Sequence, residues 1–249
     1  MTCRMTIRIL AILAMAALPA GAALAQSVSI DLGQTSQPGA TARLVQLTAL
    51  IGLLSLAPSL LVLATAFARI IIVLSLLRTA IGAPSIPPNT VLVGLALFLT
   101  FFVMQPVFEA SWTQGIVPMT EGRLSELNGL QAAAQPFRMF MVANIREDDL
   151  VLFLDLGGIQ AVTDPAQTPW RALVPAFIIG ELKRAFEIGF LLFLPFLVID
   201  MVIASLLMSL GMMMLPPSVV ALPFKLIFFV LVDGWRLVSG SLVQGFNVN

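Results

Sequence analysis

The sequence predicts an all-α integral membrane protein whose kinked helical hairpins carry one mainly helical, water-exposed insert. Hydrophobic residues make up 59% of the 249 residues and charged residues only 10%, and the mean hydropathy is +1.02. Soluble domains have about a quarter of their residues charged, so these few charges cannot cover a water-facing surface. Four long apolar segments give the hairpins, and a polar stretch at 109–185 gives the insert.

Residues 1–25 have the pattern of a cleavable signal peptide. Two arginines precede a short uncharged apolar stretch, and an A-x-A site follows, so cleavage is expected between Ala25 and Gln26. The apolar stretch falls well short of the about 20 residues that a membrane span needs, which disfavours the alternative of a retained first span. Cleavage would remove Cys3, the single cysteine of the chain.

The next two segments are an exposed leader and a first apolar hairpin. Residues 26–46 are polar and contain glycine and proline, as is typical of an exposed linker. Residues 47–108 contain two uncharged runs, 47–67 and 91–108, on either side of a proline-rich turn. Each run is about as long as a bilayer-spanning helix, so the pair is predicted to form the first hairpin.

The second half of the chain is predicted to contain the insert and a second hairpin. Residues 109–185 hold nine acidic and six basic residues and only short apolar stretches, which indicates a small, mainly helical domain in water. Residues 186–249 then supply the second apolar hairpin, broken by Pro216 and Pro217, and a C-terminal segment.

Charged residues within or beside the apolar segments are predicted to form a buried charge network. An ionised side chain at the bilayer centre costs about 2.5–3.5 kcal/mol on insertion scales, so such residues face protein, a cavity or water. The alternative is snorkelling from a helix end. The predicted network consists of Arg69, Glu181, Lys183, Arg184, Glu187, Asp200 and Lys225.

The spacing of these charges separates a local cluster from a distant carboxylate. Among the four charged residues at 181–187, the pairs 181/184 and 184/187 are three positions apart and the pair 183/187 is four apart, which makes each pair neighbours on one helix. Asp200 lies about 20 Å farther along the same helix at 1.5 Å per residue. It therefore needs a partner from elsewhere, and Lys225 is one candidate.

The turn between the last two apolar segments is rich in methionine. No charged residue occurs between Met201 and Phe224, and four methionines fall within 208–214. Methionine is unbranched and repacks around varied partners, so a ring of such turns could seal a pore and still yield to an unfolded chain. Ordinary packing at a helix end is the alternative. Pro195 and Pro223 lie inside the flanking helices, where each removes a backbone donor. Neighbouring helices or a cavity must satisfy the freed carbonyls, which favours an assembly that lines a path through the membrane.

Long motifs in a fixed order resemble the FliP family. The resemblance covers roughly 60–108 and 169–246 and is weak over much of 109–168. The motifs are FARIIIVLSLLR at 67–78, PSIPPN at 84–89, GLALFLTFF at 94–102, ELKRAFEIGF at 181–190, PFLVID at 195–200, GMMMLPP at 211–217, ALPFKL at 221–226 and VDGW at 232–235.

The resemblance implies a subunit of the flagellar type III protein export gate, in the basal body at the bacterial inner membrane. It implies a ring-like homo-oligomer, a pentamer, packed with FliQ and FliR. FlhA and FlhB would be neighbouring gate proteins, FliO would assist assembly, and unfolded flagellar proteins would be the cargo. The pore constriction of the family maps to Met212, Met213 and Met214.

The sequence offers no motif of a catalytic site. It contains no P-loop, and without histidine it can form neither a Ser-His-Asp triad nor an H-E-x-x-H zinc site. We expect no cofactor or metal, and without a basic patch no nucleic acid. A non-enzymatic conduit is therefore predicted. The alternatives are a solute transporter or ion channel that uses Asp200 and Lys225, and a structural scaffold around another protein's pore.

Overall fold

The computed structural model describes residues 62–83, 85–159, 167–212 and 214–246, with a few isolated positions between 45 and 55. Over these residues the chain is helical and contains no strand, which confirms the prediction of an all-α protein. All the elements below belong to one compact unit, Leu54–Asn249.

Several predicted features lie outside the described residues. These are the signal peptide with its cleavage site between Ala25 and Gln26, almost all of the leader 26–46, and most of the first uncharged run at 47–67. Met213, the central methionine of the predicted constriction, also lies outside them.

The described part of the chain contains eight α-helices and one π-helical segment, Trp112–Ile116, which continues the second helix. The α-helices are α1 Phe67–Ile81, α2 Asn89–Ser111, α3 Val117–Thr120, α4 Glu126–Asn144, α5 Glu147–Leu156, α6 Trp170–Ser209, α7 Pro217–Leu231 and α8 Gly234–Gln244.

Helix α1 lies at the centre of the hydrophobic core. Its apolar residues are buried on most of its circumference, and it packs against α2, α6 and α7. The helix ends because Gly82 adopts a left-handed conformation with φ of 85° and donates its N–H to the Thr79 carbonyl at 3.0 Å. Only glycine takes this conformation without a steric cost, so the sequence sets the end of the helix that organises the core.

The predicted insert is mainly helical in its described residues. Ser125 begins α4 as an N-cap, since its hydroxyl accepts the Asn128 N–H at 3.4 Å. Helix α4 crosses the π-helical segment closely: a Cβ atom on Gly115 would overlap the Ala133 backbone, and Ser111 Oγ donates to the Ala133 carbonyl at 2.8 Å. Helix α4 of the insert thus packs onto the end of α2 and its π-helical continuation, and the ring of Phe137 in α4 also contacts Phe108 at the end of the first apolar hairpin.

The boundary that the sequence placed between the insert and the second apolar hairpin, at residue 185, falls inside a helix. Helix α6 begins at Trp170, directly after Pro169, and continues for 40 residues through the charges at 181–187 without a break. Composition indicated a change there because the charges end, but the loss of charged side chains does not interrupt the backbone hydrogen bonds of a helix. Helix α6 ends only at Ser209, where Gly211 adopts a left-handed conformation.

Two stretches of the described chain are long and apolar enough to cross a membrane, Asn89–Thr120 and Trp170–Ser209. The fourth apolar segment forms only a 15-residue helix, α7, and α8 continues from it at a bend of 61°. The two together could count as a third, broken span. Pro195 and Pro223 lie inside α6 and α7, as the sequence suggested.

Candidate functional site

The methionine turn is defined as residues 208–217, and its first part, up to Met212, has a backbone fixed by hydrogen bonds to the end of α6. Gly211 is left-handed with φ of 73°, its N–H bonds the Met208 carbonyl at 3.1 Å, and the Met212 N–H bonds the Leu207 carbonyl at 2.9 Å. This is the Schellman arrangement that satisfies the last carbonyls of a helix. Helix α6 therefore ends at a defined point, and the position of Met212 directly after it is fixed by these bonds.

Beyond Gly211 the chain turns at once into α7. The Leu215 N–H donates to the Met212 carbonyl at 3.3 Å, and Pro217 occupies the first turn of α7, where its missing N–H costs nothing. The Met214 side chain is 98% exposed and that of Met212 is 48% exposed. The single chain thus presents these two methionines on an ordered turn with little to pack against.

A first ion pair joins the two helices of this hairpin. Lys225 Nζ in α7 lies 2.5 Å from Asp200 Oδ2 in α6, and it also donates to the Ala80 carbonyl at the end of α1 at 3.2 Å. The Lys225 side chain is 7% exposed and the Asp200 side chain 35%. Asp200 Oδ1 is buried and receives no hydrogen bond from the described residues. Lys225 therefore ties α7 to both α6 and α1.

A second ion pair is fully buried. The Arg69 guanidinium in α1 makes two hydrogen bonds to the Glu181 carboxylate in α6, one of them from Nε to Oε2 at 2.7 Å. Both side chains are at most 2% exposed. Arg69 also donates to the Gly245 carbonyl at 2.8 Å and lies 3.7 Å from the centre of the Phe246 ring. It thus holds α1, α6 and the chain after α8 together.

The remaining charges of the predicted network are arranged differently from the local cluster that their spacing suggested. Arg184 Nη1 lies 3.9 Å from Glu181, but Glu187 pairs at 3.6 Å with Arg146, which precedes α5. Lys183 is exposed and forms no ion pair with the part of the chain described here. Arg146 was not among the predicted residues, although it stands directly before the acidic run at 147–149.

Within the described ranges no three His, Cys, Asp or Glu side chains are placed to hold a metal ion. A groove of about 360 Å³ lies between α2 and α4, and its lining contains no titratable side chain. Acid–base chemistry requires such a group within hydrogen-bond reach of the substrate, so this groove offers no catalytic machinery.

Comparison with known proteins gives consistent matches over most of the chain. A family model described as the FliP family matches residues 50–242. The chain is 55% identical over 240 residues to the flagellar biosynthetic protein FliP of Caulobacter vibrioides, which covers 96% of this chain and 90% of that protein. The protein of the same name from Agrobacterium fabrum is 46% identical over 235 residues, with 93% and 95% covered. That of Bacillus subtilis is 46% identical over 217 residues, with 87% and 98% covered.

Proposed function

Because the chain belongs to the FliP family, we propose that it is a core pore-forming subunit of the flagellar type III protein export gate. In this role it conducts unfolded flagellar proteins across the bacterial inner membrane. Its relatives are named flagellar biosynthetic proteins, which supports a role in building the flagellum and not in catalysis. The subunit is a conduit without an enzymatic step of its own.

The observation that carries this proposal is the exposed methionine turn at the tip of an apolar hairpin. In a ring of identical subunits, Met212, Met213 and Met214 of each copy come to one level. Their unbranched side chains fill the centre at rest and move aside for a polypeptide. An apolar constriction of this kind holds back ions because water leaves it.

The length and surface of α6 support assembly with other subunits. At 1.5 Å per residue its 40 residues extend over about 60 Å, which is twice the hydrocarbon thickness of a bilayer. Its exposed apolar residues after 189 include Phe190, Leu197 and Met201. Lipid alone cannot cover so long a helix, so neighbouring protein covers part of it. We assign that role to further copies in a pentameric ring with FliQ and FliR.

The remaining partners follow the same proposal. The ring belongs to the flagellar basal body, where FlhA and FlhB adjoin it and FliO assists its assembly. The alternative of a solute transporter or ion channel depends on Asp200 and Lys225. The geometry disfavours it, because the Lys225 charge is already compensated by Asp200 and by the Ala80 carbonyl.

The test is to replace Met212, Met213 and Met214 together by alanine. The substitution removes most of the apolar volume at the constriction but leaves the Schellman turn, whose bonds are made by the backbone. We expect the gate complex to assemble normally by size-exclusion chromatography. Ion leak through proteoliposomes that contain it should rise clearly above that of the wild type.

Two matched variants make the result specific. Replacing the same three residues by leucine keeps the apolar volume, so the liposomes should stay tight. Met139→Ala changes an exposed methionine of α4, far from the turn in sequence, and should leave the leak at background. If the triple alanine complex assembles and its leak equals that of the wild type, the turn does not seal a pore.

A further inference from the structure

The methionines of the described chain range from fully buried to almost completely exposed. Met104 and Met141 are fully buried in the core. Met212 and Met214 project from the methionine turn, and Met214 is almost completely exposed. A thioether reacts with a peroxide only when the oxidant reaches the sulfur, so exposure decides which methionines become sulfoxides. In the single subunit Met214 is the most exposed methionine of the described chain, and Met212 is 48% exposed. In the proposed ring both side chains face the lumen, where peroxide reaches them from the aqueous side.

We propose that Met212 and Met214 are oxidation sites through which peroxide opens the seal of the resting gate. This inference rests on the proposed function, because it assigns a modification to the same turn. In the reaction the methionine sulfur attacks one oxygen of hydrogen peroxide and the O–O bond breaks. The sulfur gains that oxygen as a sulfoxide, losing two electrons, and the second peroxide oxygen leaves as water.

The sulfoxide acts on the seal through polarity. Oxidation turns a flexible apolar side chain into a polar one, and an apolar constriction excludes ions only while it stays free of water. One sulfoxide per subunit would place a ring of S=O dipoles at one level, where they hold water by accepting hydrogen bonds. The constriction then conducts ions without any movement of the helices.

The backbone of the turn makes this a local change. The bonds from Gly211 to Met208 and from Met212 to Leu207 involve only main-chain atoms. Oxidation of the side chains leaves these bonds in place, so the modified turn keeps its geometry. Reduction by the two methionine sulfoxide reductases, one for each epimer, should therefore restore the seal.

The experiment uses the assembled gate complex in proteoliposomes treated with hydrogen peroxide. Peptide mass spectrometry should show one added oxygen at Met212 and Met214, while Met104 and Met141 stay unmodified. Ion leak should rise toward that of the triple alanine variant. It should return to background after treatment with both sulfoxide reductases.

Substitutions separate the turn from the other exposed methionines. The complex with Met212, Met213 and Met214 all replaced by leucine should stay tight in peroxide. A Met201→Leu complex, changed at an exposed position of α6 outside the turn, should leak after oxidation as the wild type does. An equal rise in leak in the triple leucine complex, or full oxidation of Met212 and Met214 without leak, would overturn the inference.

The two proposals can fail separately. If the triple alanine complex assembles without leak, the sealing role itself is wrong. If that complex leaks but oxidised wild-type complex does not, the seal stands and only its sensitivity to oxidation is refuted.

Discussion

The two halves of helix α6 bury their surfaces in different ways. Between 170 and 189 the helix packs within its own chain, and small residues allow close approach: Gly180 lies beside Asp149, and Gly189 lies beside Leu76. Between 190 and 209 few residues are buried. There the helix packs against α7 through Phe196, whose ring contacts Phe228 and Phe229, and through a small apolar cluster around Ile203 and Leu207.

The two ion pairs follow the same division. We call residues 170–189 of α6 the packed half and residues 190–209 the open half. Glu181 lies in the packed half, and its partner Arg69 in α1 also donates to the Gly245 carbonyl. Asp200 and Lys225 belong to the open half, where Asp200 is one-third exposed and its Oδ1 has no hydrogen-bond donor among the described residues. The comparison teaches that one half of α6 stabilises the single subunit. In the proposed assembly, neighbouring subunits would cover the other half.

The largest effect should come from breaking the pair in the packed half. Arg69→Met keeps much of the side-chain length but leaves the Glu181 carboxylate buried, with only Arg184 3.9 Å away. Removing one partner of a buried pair costs about 3–5 kcal/mol. We expect a strong loss of yield and of thermal stability in the detergent-extracted chain, even before assembly.

A matched double variant sharpens this result. Arg69→Met with Glu181→Gln removes both charges, so no ionised group stays buried without a partner, and part of the lost stability should return. If Arg69→Met is as stable as the wild type, the pair does not hold the packed half together. The division between the two halves would then be wrong.

A smaller effect is expected from the pair in the open half. Lys225→Met removes the donor to Asp200 and to the Ala80 carbonyl, and leaving such groups unsatisfied costs about 1–3 kcal/mol. Since this half depends on its neighbours, the helicity of the single chain should be kept. The yield of the assembled complex should fall, measured by size-exclusion chromatography of detergent extracts.

Lys183→Met is the matched control, because Lys183 is exposed and makes no ion pair with the described part of the chain. It should assemble like the wild type. Normal assembly of the Lys225→Met variant would show that Lys225 contributes only locally and that snorkelling, not pairing, explains its position.

Local signals in the sequence were sufficient for the apolar helices and for the break between the last two of them, but not for the start of α6. Apolar runs indicated the apolar helices, and Pro216 with Pro217 indicated the break between α6 and α7. The isolation of Asp200 in an apolar run pointed to a partner in another helix. Lys225, the charge inside the neighbouring apolar segment, occupies that place in the structure.

Contacts between distant positions could not be predicted in the same way. Arg69 and Glu181 are 112 positions apart, and nothing in their local patterns links them. The contact from Arg69 to Gly245 uses a backbone carbonyl, which has no sequence signature at all. Glu187 had candidate partners on its own helix, but α5 brings Arg146 to it instead. Such pairs depend on how the helices pack, which local spacing does not determine.

The smallest expected effect tests whether the geometry of the methionine turn is set by glycine. Gly211 has φ of 73°, and a Cβ atom there would meet no atom within 4 Å, so any cost of Gly211→Ala is conformational and not steric. A left-handed residue with a Cβ costs roughly 1–2 kcal/mol. Because the turn lies at the end of the open half, we expect the complex to assemble with a slightly lower thermal midpoint and a raised resting leak. Gly240→Ala is the matched control: Gly240 also has open space around it, but it lies in α8 without a positive φ, where alanine favours the helix by about 1 kcal/mol. If both variants behave alike, the left-handed conformation of Gly211 does not set the position of the methionines. The seal would then depend on side-chain volume alone.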